Sequence, residues 1–269
     1  MESPSKPFDK TVHLSDRRLA RVTGPDAASF LQNIMTNDIR QADATGLVYS
    51  CLLSPQGQFL HDFFVVKAAE GYLVDVDTAR IDDLLRRMGI FKLRAKVTIE
   101  PLGNNHRVYT GGGLADPRHP LMGKRQYGES SPAANASFAD YADFGDSLGV
   151  PASSAFAPSK DVVADVNLDL LNAVAWDKGC FIGQEVTARM RYKASAKKRL
   201  LIVTGEGLKV GDALFQQEAE IGQLRQVTTT GTQGLAVARL SALEKADNKI
   251  VTPSKHEVFL GLPEYIGNR

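Results

Sequence analysis

Between Thr23 and Asp38 the chain reads TGPDAASFLQNIMTND, and its apolar positions Ala27, Phe30, Leu31 and Ile34 recur at three- and four-residue spacing. That period places them on one face of a helix. Thr23 or Gly24 can cap it, Pro25 suits its first turn, Asp26 complements its dipole, and Thr36-Asn37-Asp38 reads as its stop. The pattern then changes to strand-like. LVYSCLLSPQGQFLHDFFVVKAAEGYLVDVD divides into three β-rich runs at Ser54-Pro55-Gln56-Gly57 and Ala68-Ala69-Glu70-Gly71, both turn sequences. Asp77 can cap a second helix through Ile81, Leu84, Leu85 and Met88, ended by Gly89. KLRAKVTIE alternates strictly, with Leu93, Ala95, Val97 and Ile99 on one side, and predicts a half-buried strand. Strands, helix and strand in this order predict an α+β fold rather than a parallel doubly wound sheet.

From Gly103 to about Lys160 the period fades. Gly, Pro, Ala and Ser dominate, so 103–160 reads as an irregular surface insertion with a short strand near Val108 and a helix after Ser137. After Lys198 the runs RLLIVTGE, EIGQLRQVTTT, GLAVARL and HEVFLGL are short and punctuated by Gly and Pro, predicting a small β-barrel. The expected organisation is an α+β domain over 1–197 and a barrel over 198–269.

Composition narrows the class. The 269 residues are 43% hydrophobic and 23% charged with a net charge of +1, ordinary for a soluble globular protein and without a global pull toward nucleic acid or membrane. MESPSKPFDK lacks the apolar core of a signal peptide and the Arg-rich character of a transit peptide. No run approaches the ~18 apolar residues that span a bilayer. Two cysteines, Cys51 and Cys180, lie far apart with no CxxC, which fits a reducing cytoplasm and gives no disulfide framework. They cannot supply the four thiolates of an ordinary iron–sulfur site.

The densest candidate chemistry is AWDKGCFIGQEVTARMRYK, Ala175–Lys193. Ile182, Val186 and Met190 recur every fourth residue, so a turn at Lys178-Gly179 is read as feeding a helix with Cys180 in its first turn. Unpaired N–H groups and the Lys178 ammonium would there favour a thiolate. The alternative is a small buried residue chosen for fit. Glu185 could bind a small molecule or pair with Arg189 one turn on. Arg189, Arg191, Lys193, Lys197, Lys198 and Arg199 form the strongest local charge asymmetry, suited to an anionic ligand or simply a solvated face. Only Tyr192 accompanies them, which argues against single-stranded nucleic acid. The five histidines are scattered, there is no zinc signature, and Asp161, Asp165 and Asp169 read as caps and loop acids.

WDKGCFIGQEVTARMRY resembles the K-G-C-F/Y-x-G-Q-E signature of the YgfZ-type folate-binding proteins, the bacterial and mitochondrial iron–sulfur cluster assembly and repair factors related to glycine-cleavage T-protein aminomethyltransferases. FLQNIMTNDI, LLSPQGQFLHDFFV, FKLRAKVTI, ADPRHPLMGKR, KKRLLIV and GLAVARL are similar to further landmarks of that family, closest to its mitochondrial-type branch and bacterial counterparts. The resemblance implies an aminomethyltransferase-like, folate-binding α+β region around a central tunnel, then a small C-terminal β-barrel. It implies tetrahydrofolate as cofactor and a role in assembling or repairing 4Fe–4S proteins, with cluster-assembly proteins or client enzymes as partners and neither membrane nor nucleic acid. Cys180 and Lys178 carry over as the reactive residues, Cys180 as a ligand to a shared cluster with no metal site of the chain's own. Asn37, Asp38, Gln56, Gly179, Gly183, Gln184, Glu185 and Arg189 are the expected folate-binding residues.

Two departures stand out. His61-Asp62 replaces the Asp-Asp pair of the aminomethyltransferases, and Asp143 and Asp146 stand where relatives carry an Arg before the Gly-Val-Pro turn. The leading expectation is a folate-dependent assembly factor in the cytoplasm. The alternatives are a one-carbon transferase using His61 or Asp62, and a scaffold touching RNA through 189–199.

Overall fold

The computed structural model describes residues 4–193, 196–244 and 249–267. β1 (Arg17–Thr23), β2 (Leu47–Leu53), β3 (Phe59–Lys67), β4 (Tyr72–Asp77) and β5 (Thr98–Pro101) form one antiparallel sheet in the order β2-β3-β4-β1-β5. α1 (Ala27–Ile34), α2 (Ile39–Thr45) and α3 (Ile81–Lys92) cover one face of it. The predicted face of α1, Ala27, Phe30, Leu31 and Ile34, packs there against Leu52, Phe63 and Val76. On the other face Tyr49, Cys51, Phe59 and Phe64 meet Phe156, Val166, Leu200 and Leu235. Covering on both sides explains why β2 is buried throughout and reads as a continuous apolar run.

Three local expectations change. Asp38 does not merely stop α1: its carboxylate accepts the Arg40 N–H and starts α2, which Gly46 closes at φ 85°. α3 continues through Gly89 to Lys92. Leu93 then turns at φ 45° into solvent, and strand pairing begins only at Thr98. The alternation from Leu93 has no partner because Thr98 pairs with Thr23, the end of β1.

The segment 103–160 is more ordered and more buried than an irregular surface insertion. β6 (Arg107–Ala115) and β7 (Lys124–Gly128) form a hairpin, and α4 (Phe138–Leu148) starts with a capping box between Ser137 and Asp140. Phe8, Leu14, Val108, Met122, Tyr141 and Leu148 build a core of their own. Part of the interior is filled by ion-paired arginines rather than aliphatic runs, so hydrophobic periodicity does not reveal it.

α5 (Gln184–Lys193) leads to β8 (Lys198–Gly205), β9 (Ala213–Gln216), β10 (Ala219–Val227), β11 (Gln233–Arg239), β12 (Ile250–Val251) and β13 (Glu257–Gly261), which close into a barrel in the order β10-β11-β8-β13-β12-β9. Val203, Leu214, Leu224, Ala236 and Val258 fill it. Short α6 (Glu264–Gly267) brings Tyr265, whose hydroxyl donates to the Gly149 carbonyl after α4. The α+β fold with a small C-terminal barrel is the one expected. Among the described residues no helix is long and apolar enough to cross a membrane.

Candidate functional site

The loop from Trp176 to Gly183 is anchored at both ends. Lys178 is buried, and its Nζ donates to the carbonyls of Gln32 (2.6 Å), Met35 (2.7 Å) and Asn37 (2.8 Å). These lie at and just beyond the C-terminal end of α1, where carbonyls lack intrahelical partners and the dipole favours a cation. Burial pushes the Lys178 pKa down to about 8, with Asp38 opposing. The carbonyl acceptors favour the charged form in the same sense as Asp38, so the group is an ammonium at neutral pH. Downstream, Phe181 enters the core between sheet and barrel and Ile182 packs against the helical layer.

Gly183 completes the anchor. It sits at φ 80°, and a Cβ there would lie 2.6 Å from the Ser54 carbonyl oxygen and 3.1 Å from Gly57 Cα. Gly57, at φ 76° in the β2–β3 turn, would meet Val186 Cβ at 2.8 Å. Two glycine turns thus close on one another, which side chains at either position would prevent. Gln56 is exposed on the same turn. Between the anchors Gly179 and Cys180 remain exposed.

The surroundings of Cys180 differ from the expected ones. α5 begins at Gln184, so Cys180 precedes the helix rather than occupying its first turn. The Lys178 ammonium points into the carbonyl cage with all three donors taken. What the fold provides is presentation. Cys51, by contrast, is buried within hydrogen-bond distance of Thr36, and burial pushes its thiol up to about 12. Cys180 is the accessible thiol, and no group of three or more His, Cys, Asp or Glu among the described residues could hold a metal ion.

Several expected ligand residues are occupied by the fold. Asn37 Nδ2 donates to the carbonyls of Tyr49 and Asn172, and its Oδ1 accepts from Asp38 N and Gln41 Nε2. Asp38 caps α2 and pairs with Arg40, which holds its carboxyl below the usual range. Both stiffen the loop that receives Lys178. Gln184 is half-buried, while Glu185 and Arg189 are exposed on α5 and no ion pair joins them. Two members of the basic run are engaged within the fold: Arg199 pairs bidentately with Asp169 and Arg191 lies 4.3 Å over Trp176. The side chains of Met190, Tyr192 and Lys193 lie outside the described ones.

The centre, where the resemblance implies a tunnel, is filled. Arg17, Arg118 and Arg125 surround the Phe64 ring at 5.5, 5.1 and 4.0 Å. Asp75 accepts from Arg17 (2.6 Å) and Arg125 (2.8 Å), and Asp116 from Arg118 (2.8 Å) and Arg125 (3.3 Å). Burial pushes the Asp75 carboxyl up, but the two guanidiniums outweigh it and hold it below its ordinary value. The remaining space is about 40 Å³, room for a few waters. These arginines were not singled out in the sequence; ADPRHPLMGKR held the only signal, charges within a segment of weak periodicity.

His61 and Asp62 face opposite sides of β3. His61 Nε2 lies 2.8 Å from Asp83 on α3, and burial lowers its pKa. Asp62 faces the centre, where its Oδ2 accepts from Ser153 (2.7 Å) and Tyr49 (3.1 Å), leaving Oδ1 buried without a partner. Asp143 and Asp146 hold the barrel: Asp143 accepts from Thr229, and Asp146 accepts from Gln226 Nε2 at 2.6 Å. Burial, reinforced by Asp143, raises the Asp146 pKa to about 8.

Comparison with known proteins agrees with this architecture. Residues 12–108 match the model of the GCVT N-terminal domain. A mitochondrial iron-sulfur cluster assembly factor IBA57 homolog of Pyricularia oryzae is 30% identical over 221 residues, covering 70% of this chain and 55% of that protein. Mitochondrial IBA57 of Mus musculus is 29% identical over 259 residues, covering 81% and 71%. The chain thus spans little more than half the length of the first of these. The glycine cleavage system aminomethyltransferase T of Bartonella henselae superposes with a TM-score of 0.67 at 13% identity over 98% of this chain and 88% of that one, a likeness of fold. The IBA57 relatives are mitochondrial proteins, which overturns the expected cytoplasmic location.

Proposed function

Since the chain is a YgfZ/IBA57-type protein with an aminomethyltransferase-like fold, we propose that it acts in iron–sulfur cluster assembly through Cys180. The observation that carries this reading is the single accessible thiol, held out by a loop whose flanking Lys178, Phe181 and Gly183 are locked in place. Thiolate is the natural ligand of iron in clusters, and one thiolate completes no cluster alone. Cys180 is therefore a shared, transient ligand. The other ligands come from a partner, a cluster-assembly protein or a 4Fe–4S client. In this proposal the region 1–197 presents the cysteine and the barrel, 198–269, buttresses it from behind.

Tetrahydrofolate is suggested by the aminomethyltransferase-like fold, but the residues at the centre do not fit it. Sites for ligands of that size run to about 300–1,000 Å³, and the space among Arg17, Arg118 and Arg125 is about 40 Å³. The alternative of folate-dependent one-carbon transfer would have to use Asp62, whose Oδ2 already accepts from Ser153 and Tyr49. The test is complementation: in cells lacking the gene, wild type is expected to restore 4Fe–4S enzyme activities and Cys180→Ser to leave them low, with both proteins melting alike. Full rescue by Cys180→Ser would sink the proposal.

A further inference from the structure

A second, much larger space opens behind the Cys180 loop, among α5, the 162–169 segment, the start of β8 and α6. Its volume is about 720 Å³, within the range of small-molecule sites and far above the 40 Å³ at the centre. One wall is apolar, formed by Val162, Trp176, Leu240 and Ile266. Arg191, Lys197 and Lys198 bring positive charge to the same space. Arg199 is committed to Asp169, whereas among the described residues the ammonium groups of Lys197 and Lys198 make no ion pair within 4 Å. The whole chain carries a net charge of only +1, so this excess is local and selects an anion.

Two further features describe the rest of the ligand. Arg191 lies over the Trp176 indole at 4.3 Å, which makes a flat platform at the edge of the apolar wall. Asp165 also lines the space, and among the described residues its carboxylate makes no hydrogen bond or ion pair; burial raises its pKa, with Lys198 opposing. A half-buried acceptor without a partner suits ring N–H groups.

We propose that this pocket binds a planar heteroaromatic ligand with an anionic tail, its ring against Trp176 and the apolar wall, its N–H edge toward Asp165 and its tail on Lys197 and Lys198. Nucleotides and pteridine–glutamate conjugates share this chemistry. The site is separate from the cluster-ligating role of Cys180 and stands or falls without it.

The test is calorimetric titration of the full chain with ATP, GTP, 5-formyltetrahydrofolate and inorganic phosphate, followed in parallel by the emission of Trp176, the only tryptophan. At least one ring-bearing probe is expected to bind saturably and change the emission, and the probe that does so identifies the source of the ring. The double variant Lys197→Ala/Lys198→Ala is expected to weaken that binding at least tenfold with an unchanged melting temperature. The proposal is overturned if no ring-bearing probe saturates at millimolar concentration. It also falls if the double variant binds like wild type, or if inorganic phosphate binds as tightly as the best ring-bearing probe.

Discussion

Replacing Lys178 by Met separates the two roles an ammonium beside a cysteine can have. Methionine keeps the aliphatic stem but removes the donor shared by the carbonyls of Gln32, Met35 and Asn37. A hydrogen bond from a charged group contributes about 1.5–3 kcal/mol, so three give roughly 4–9 kcal/mol. Against this stands the relief of no longer burying a charge. The pKa displaced from 10.5 to about 8 corresponds to about 2 kcal/mol once solvent screening is allowed for. The expected net loss is about 2–7 kcal/mol, a fall in Tm of roughly 5–25 °C for a chain of this size. A thiol reagent such as DTNB supplies the second readout, because Cys51 is buried and only Cys180 is accessible in the folded protein. With its anchor gone the loop is expected to react faster, by the same factor at every pH. The opposite pattern, an unchanged Tm with a thiol that reacts more slowly and only at higher pH, would show that Lys178 activates the cysteine rather than holding its loop.

Two more substitutions probe the frame. Gly183→Ala puts a Cβ 2.6 Å from the Ser54 carbonyl at φ 80°, a cost of about 1–2 kcal/mol from the left-handed backbone before any clash; a lower Tm and faster proteolysis at the 178–186 loop are expected, and a wild-type melt would contradict the glycine-to-glycine contact. Asp146 keeps its proton to about pH 8 when folded, against 3.8 for the ordinary group, so the folded state binds more protons between pH 4 and 8 and this group's contribution falls as pH rises through that window. Asp146→Asn retains an oxygen for Gln226 and is expected to be more stable than wild type by about 2–4 kcal/mol at pH 8 and equal to it near pH 4, measured by urea unfolding at both pH values; a constant difference across pH would refute the assignment.

Much of the fold was legible because its cores are built from periodic runs. Ala27, Phe30, Leu31 and Ile34 gave α1, and the three runs from Leu47 to Asp77 gave β2, β3 and β4. Where polar contacts decide, the pattern misled. α2 is announced only by the Asp38 side chain, and Leu93 alternates as a strand should but has no edge to pair with. The motif around Cys180 was legible as residues but not as geometry. Its lysine looked like a neighbour of the thiol, and the contact that turns it inward comes from carbonyls about 140 positions earlier. Long-range acceptance by backbone oxygens leaves no mark in composition or period.

The filled centre and the exposed cysteine are two sides of one design. Arg17, Arg118 and Arg125 could not be buried singly; each is held by Asp75 or Asp116, and removing one partner of such a set costs about 3–5 kcal/mol. A centre closed in this way gains rigidity and forgoes a guest. In the proposed function, chemistry occurs instead at the reactive atom the chain still exposes. Lys178, Gly183 and the buried Phe181 act to that end: they spend a charge, a glycine and an aromatic ring on fixing the backbone on both sides of Cys180. A cysteine needed only for packing would gain nothing from such anchoring, whereas a ligand offered to a partner gains affinity from every rotation already frozen before they meet.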